Sequence, residues 1–143
     1  MAAMATVVAT EPRMRHETFV ADVSGVELAF EVYHLHEQLF VYIGGADGRF
    51  TECAFAAKAR TSLGGGGVAA TTLLGTEASA RASTDAARRL ALRSGKSIVM
   101  SVNMPVGAEH LQVDAERVLI RYLRETHAVE GEVRDLERAL GAM

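Results

Sequence analysis

Apolar and polar residues alternate in short segments along the first three quarters of the chain, and this rhythm gives way to a spacing of three and four near the end. Val26, Leu28, Phe30 and Val32 alternate with Glu27, Ala29, Glu31 and Tyr33. A period of two predicts a strand with one buried face. From Gln38 to Ile43 both faces are apolar, Leu39, Val41 and Ile43 on one and Phe40 and Tyr42 on the other, which predicts a central strand. Shorter alternations predict strands over Glu17 to Asp22, with Phe19 and Ala21 on one face, and over Thr51 to Ala57, with Cys53 and Phe55 on one face. Val68 to Leu74 and Ser97 to Asn103 bring the set to about six. Ser24-Gly25 and Gly44 to Gly48 are turn signals. Such short connections favour antiparallel hairpins over parallel crossovers.

Two helices follow from the longer spacing. The first is expected to start near Ser83 or Thr84, either a good N-cap, with Asp85 favourable in the first turn. Ala86, Ala87, Leu90, Ala91 and Ser94 make a small inner face that can lie close on a sheet, and Arg88, Arg89, Leu92 and Arg93 make the outer one. That outer face reads either as a solvated charge surface or as a docking ridge for an acidic partner. Gly95 then ends the helix in the left-handed region. Asp114 is expected to cap the second helix, in which Leu119, Tyr122, Thr126, Val129, Val133, Leu136 and Leu140 alternate by three and four, the pattern of a packing seam. Gly131 costs about 1 kcal/mol relative to alanine, so a break is expected there or the helix overhangs the domain. The fold expected is α+β: an antiparallel sheet of about six strands with two flanking helices, the second C-terminal and, if continuous, extended. Residues 1–15 read as a disordered arm, 16–127 as one α+β domain and 128–143 as a C-terminal helical extension.

Bulk composition narrows the function classes. With 143 residues the chain is one domain, large enough to bury about two thirds of its unfolded surface. A net charge of −3 without a long basic run removes the usual electrostatic driver for nucleic-acid binding. No apolar run reaches the roughly 18 residues of a membrane span. The apolar N-terminus lacks the leading positive charge of a secretory signal. A single cysteine, Cys53, rules out an internal disulfide and a multi-cysteine zinc site, and suits a reducing compartment.

Candidate chemistry is thin. Gly95-Lys96-Ser97 resembles part of a phosphate-binding loop, but Leu90 stands where the first glycine is needed, and the order is helix then strand. His34 and His36 share one face if the strand runs that far, yet no third ligand stands at motif spacing. Cys53 lies inside an apolar alternation and reads as a small buried hydrophobe. Ser62, Ser94 and Ser101 lack a nucleophile-elbow context. Gly64 to Gly67 reads as a flexible linker. No catalytic, cofactor-binding or metal-ligating residues emerge. A nucleotide- or small-molecule-binding regulatory domain using the glycine loop, and a self-associating scaffold using the C-terminal seam, remain as alternative classes.

A series of short motifs is more informative. Gln38-Leu39-Phe40-Val41-Tyr42-Ile43-Gly44, then Thr72-Leu73-Leu74-Gly75, then Ala87-Arg88-Arg89-Leu90-Ala91, then Lys96 with Val99, Ser101 and Asn103, resembles in order and spacing the proteasome assembly chaperone 4 family. The resemblance covers about Glu17 to Glu125. The Gly64 to Gly67 loop is more glycine-rich than the family pattern, and Ala128 to Met143 extends past its usual end. The resemblance implies a non-enzymatic chaperone, without cofactor, in cytoplasm and nucleus. It implies pairing with proteasome assembly chaperone 3 and holding of an α-type subunit, the fifth, while the α-ring of the 20S core particle assembles. It assigns no catalytic residues. Arg88, Arg89, Leu92 and Arg93 are the expected partner contacts, on the strength of the one-sided arginine face.

Overall fold

The computed structural model describes residues 14–59 and 67–141, with residues 5, 6, 8 and 9 before them; the side chains of 127–140 lie outside the description. Much of the expected N-terminal arm, the Gly64 to Gly66 part of the glycine loop and the lower part of the C-terminal seam therefore fall outside it.

Chain-adjacent alternating segments pair first. β1 (Arg15–Val23) and β2 (Val26–Leu35) form an antiparallel hairpin, and β3 (Gln38–Gly44) adds to β2 in the same sense. Ser24 and Gly25 both take positive φ, 50° and 87°, the twist that a two-residue hairpin turn requires. The Asp22 carboxylate accepts the Gly25 N–H at 2.9 Å and fixes that turn. β4 (Cys53–Ala59) and β5 (Gly67–Leu74) form a second antiparallel pair.

The two pairs are joined by the last strand. β6 (Ser97–Asn103) lies between β3 and β4, giving a six-stranded sheet in the order β1-β2-β3-β6-β4-β5. It runs parallel to β3 and antiparallel to β4, so the sheet is mixed rather than wholly antiparallel. The reason lies in the route. β6 arrives from β5 through α1 (Arg81–Ser94), and a strand brought back by a helix keeps the direction of the strand that sent it. Hairpin reasoning covers only strands joined by tight turns. For the same reason β3 and β4, neighbours in sequence, are not neighbours in the sheet; residues 45–52 cross the end of β6 instead.

That crossing is pinned by a polar cluster. Asn103 Oδ1 accepts the Thr51 N–H at 2.8 Å and its hydroxyl at 3.1 Å. Asn103 Nδ2 donates to Ser101 Oγ at 2.7 Å, and Ser101 Oγ donates to the Glu52 carbonyl at 2.6 Å. Ser83, on α1, donates to Glu52 Oε1 at 2.8 Å and accepts the Val102 N–H at 2.9 Å. Glu52, Ser83, Ser101 and Asn103 are all buried. Burial pushes the Glu52 carboxyl above its ordinary value, and the Ser83 hydroxyl partly opposes this.

Both helices cover one face of the sheet. Leu28, Phe30, Val32, Leu39, Val41, Ile43, Ile98, Met100 and Val102 point into that core. α1 meets β4, β5 and β6 through Ala86, Ala87, Leu90 and Ala91, whose small volume allows the close approach. α2 (Gln112–Gly141), which a short 3-10 turn at Glu109–Leu111 leads into, covers the other half with Ala115, Leu119 and Leu123. Phe19 stacks between Phe30 and Tyr122, with ring centres at 4.7 and 4.0 Å, and ties α2 to β1.

Helix starts differ from expectation. α1 begins a turn before Ser83, with Ala80 as its N-cap and no capping side chain. Ser83 is drawn inward to serve Glu52 and Val102, while Thr84 bonds back to the Ala80 carbonyl at 2.9 Å. A reciprocal Thr76–Ser79 pair shapes the turn before the helix. α2 starts at Gln112, so Asp114 stands in its first turn rather than at its cap. Gly95, at φ 69°, ends α1 as expected and donates to the Ala91 carbonyl at 2.9 Å. Across Gly131 α2 is continuous; its 30 residues span about 45 Å at 1.5 Å per residue. β4 continues through Lys58 and Ala59, past its expected end at Ala57, because β5 pairs with it there. No described helix is long and apolar enough to cross a membrane.

Two outcomes follow for the buried cluster. Asn103→Ala removes the acceptor that holds Thr51 and a donor to Ser101, and should lower stability by about 1–3 kcal/mol in urea denaturation with little change in slope. Glu52 has a folded pKa raised above its unfolded value near 4.5, so its contribution is fully present below that value and is lost as pH rises through the raised one. Glu52→Gln keeps an acceptor for Ser83 without the charge. Its stability relative to wild type should therefore improve as pH rises from about 4.5, then level off; a pH-independent difference would contradict the assignment.

Candidate functional site

Among the described residues both helices lie on one side of the sheet, and no helix or strand covers the other. Alternation places Tyr33 and Leu35 of β2 and Phe40 and Tyr42 of β3 there, beside Phe50 of the crossing segment. They line a broad, shallow depression of about 750 Å³. His16 and Tyr33 stack at 4.0 Å, Tyr33 meets Phe40 edge-on at 5.6 Å, and Phe50 lies parallel to Phe40 and Tyr42 at 6.4 Å from each. Tyr42 donates to the Arg49 carbonyl at 2.8 Å, and its ring lies across Gly44 so closely that a Cβ there has no room. Val20, Leu35, Phe50 and Leu73 are among the exposed large apolar side chains of the fold, and all belong to this side or its rim.

The chemistry of this surface is that of contact. Among the described residues lining the depression, Glu31 is the carboxylate, and no described residues form a cluster able to hold a metal ion. A contiguous apolar and aromatic surface of this kind marks a protein-binding site rather than a solvated face.

The residues singled out from the sequence separate into different roles. Arg89 is engaged within the fold: its guanidinium forms a two-pronged bond to Glu116 of α2 at 2.6 and 3.0 Å. Gln112 bonds both that carboxylate at 3.3 Å and the Ala82 carbonyl at 3.0 Å, so the helices are fastened together at this point. Arg88 pairs with Asp85 on its own helix at 3.4 Å, while Leu92 and Arg93 are exposed. The four residues therefore do not act as one uniform ridge. His34 is engaged with Arg15 and Glu17, and exposed His36 stands in the turn after β2. Cys53 is buried, and burial pushes its thiol up, away from the reactive thiolate.

The family model described as Proteasome assembly chaperone 4 matches residues 27–104, more than half of the chain. The chain belongs to the proteasome assembly chaperone 4 family. The match runs from β2 to the end of β6 and so contains the open aromatic face, α1 and the buried polar cluster. Among solved structures, a chain of a yeast chaperone complex for 20S proteasome assembly is similar at a TM-score of 0.55 and 12% identity, covering 82% of this chain and 97% of that one. At that identity the likeness concerns the fold. No curated protein sequence matches the chain.

Membership gives a physical meaning to motif residues that carried none in the sequence. In this member of the proteasome assembly chaperone 4 family, Ser101 and Asn103 hold the segment that crosses β6, and Leu90 and Ala91 set the distance between α1 and the sheet. The role of Glu52 was not legible, because a lone glutamate before a strand carries no signal of burial. The second apolar face of β3 was visible in Phe40 and Tyr42 and pointed to a central strand, which β3 is, between β2 and β6; the open surface it lines was not legible.

The two neighbouring arginines are expected to behave differently. The Arg89 side chain is 46% exposed, so solvent screening limits the pair itself to about 1 kcal/mol or less. Arg89→Ala also leaves buried Glu116 with Gln112 alone, which raises the cost to about 1–3 kcal/mol. Arg88→Ala should stay within about 0.5 kcal/mol of wild type. Equal denaturation midpoints for the two variants would refute the division. Charge reversal of the basic face should accordingly spare Arg89.

Proposed function

We propose that this chain is an assembly chaperone for the 20S proteasome core particle that works as a heterodimer with proteasome assembly chaperone 3, joined through the open sheet face. In this reading the pair holds an α-type subunit, the fifth, while the α-ring forms, and acts in cytoplasm and nucleus. The chemistry is non-enzymatic: the chain offers shape to other proteins. The observation that carries the reading is the uncovered aromatic face of Tyr33, Phe40, Tyr42 and Phe50 in a chain of this family.

The physical argument concerns what such a face needs. Two sheets pack face to face about 10 Å apart with interdigitating side chains. The half-buried rings of Tyr33 and Phe40 are set to enter such a layer, and the shallow depression between them and Phe50 receives a side chain from the facing sheet. Left in water, the same face favours aggregation. A partner with a matching apolar sheet removes that liability and leaves the helical side free for a client.

Co-expression with proteasome assembly chaperone 3 tests the joint. Phe40→Asp places an unpaired charge in the centre of the face, a cost of at least about 3 kcal/mol, or a hundredfold in affinity. The variant should lose co-elution with the sister chaperone in size-exclusion chromatography with light scattering, while far-ultraviolet circular dichroism stays unchanged. Undiminished co-elution would reject the open face as the joint.

A further inference from the structure

On the opposite side of the molecule, residues of α1 and α2 border a groove of about 380 Å³. Its floor is apolar, formed by Leu90, Ile120 and Leu123. Its rim is cationic, formed by Arg93, Lys96 and Arg124. Arg117 and Arg121 continue the positive surface along α2 beside it. Arg117 is paired with Asp114 at 3.2 Å, and Arg89, nearby, with Glu116. Among the described residues, Arg93, Lys96, Arg121 and Arg124 have no ion-pair partner; Glu125 is the carboxylate bordering the same surface. The C-terminal carbonyls of α1 also face this end of the molecule. They supply about half a negative charge, against three full positive charges on the rim.

This concentration runs against the average of the chain, whose net charge is −3. A solvated basic face needs no apolar floor, and a core groove needs no cations around it. The combination selects a ligand with both properties. Long arginine and lysine side chains lay apolar stems along such a floor and keep their charged ends at its edge. The volume is at the small end of the range for ligand sites, about 300–1,000 Å³, room for an anchoring side chain rather than a folded surface.

We infer that this groove is a docking site for an acidic segment of a partner protein, a single apolar side chain seated on Leu90, Ile120 and Leu123 with flanking carboxylates on Arg93, Lys96 and Arg124. Charge complementarity selects this occupant. The groove lies on the helical side of the sheet, so it and the open sheet face can be engaged together. The inference rests on the proposed chaperone function only in taking the occupant for a client of the heterodimer; the binding itself is measured without the sister chaperone.

The test uses the full chain and a fluorescent twelve-residue peptide with one central leucine flanked by glutamates, followed by anisotropy at low and high salt. A control peptide carries glutamine in place of each glutamate. The acidic peptide should bind at least tenfold more tightly than the control, and the difference should shrink as salt rises. Arg93→Glu with Arg124→Glu should abolish the preference, and Arg93→Gln with Arg124→Gln should weaken it severalfold, with melting temperature and circular dichroism reporting the fold of each. Ile120→Ser should weaken both peptides, whereas Phe40→Asp should leave the preference intact. Equal binding of the two peptides, or a preference that survives neutralisation of the rim, overturns the inference. Binding of a short single-stranded RNA in preference to the acidic peptide overturns it as well. Absence of co-elution of the wild-type chain with the sister chaperone, alongside intact peptide preference, marks failure of the proposed function and not of this site.

Discussion

The position of β6 governs this structure. The strand closest to the C-terminus is seated between two hairpin-built halves, so neither half is joined to the other until it arrives. β3 alone could extend the first hairpin, and β4 with β5 could form a second, but an isolated two-stranded pair is marginally stable in water. Insertion of β6 supplies parallel pairing on one side and antiparallel pairing on the other, and it buries Ile98, Met100 and Val102 under the helices. It also forces residues 45–52 to cross its end, and a crossing segment has backbone groups that no ladder satisfies. Asn103 and Ser101, the last residues of the same strand facing that segment, provide those bonds. The strand that creates the topological problem also carries the polar side chains that solve it.

A sheet closed in this way acquires two unlike sides. The helical side is assembled by size: alanines on α1 allow close approach over the short-side-chain strands β4 and β5, and larger residues on α2 cover β1 to β3. The two helices are fastened by Arg89, Glu116 and Gln112, and a groove lies between them at Leu90 and Ile120. The open side is assembled by alternation. Each inward residue on β2 and β3 obliges an outward neighbour, and here those neighbours are largely aromatic or apolar where a fully solvated face would be polar. The long α2 adds a third feature: at 30 residues, about 45 Å, it is longer than any strand of the sheet, the longest of which has 10 residues.

How much of this was legible depended on the range of the interaction concerned. Strands and helices followed from local spacing, and every one of the six strands stands within a few residues of its expected place. The αL glycine at the end of α1 was equally local, because only the residue and its immediate context decide it. Strand order was not legible. Turn lengths identify hairpins, but the seat of a strand delivered by a helix depends on which edge remains available. The caps misled for a related reason. Ser83 is a good N-cap by type, but a buried carboxylate and a backbone N–H outside its own helix claimed its hydroxyl. The bond from Arg89 to Glu116 was not legible because a helical wheel identifies what lies outside one helix, and Arg89 meets a second helix whose position the wheel does not contain. Family motifs bridge part of this gap: Ser101 and Asn103 stand out as pattern in the sequence, and the structure gives them a purpose.

The two candidate surfaces place different physical demands on binding. An aromatic sheet face gains its free energy from area removed from water and loses it slowly, so it governs how long a complex lasts. A cationic rim acts at a distance of about a Debye length, roughly 8 Å at physiological ionic strength, and governs how quickly an acidic partner finds its site. Placing these on opposite sides of one sheet allows the durable contact and the exchangeable one to be set independently, since substitutions that far apart and without shared partners add nearly without coupling. The fold supports this separation mechanically as well. One sheet layer lies between the two surfaces, and β3, which carries Phe40 outward and Leu39 inward, contributes to both. A change of partner on one face therefore reaches the other only through movement of a strand held by two neighbours, and a strand so held resists that movement.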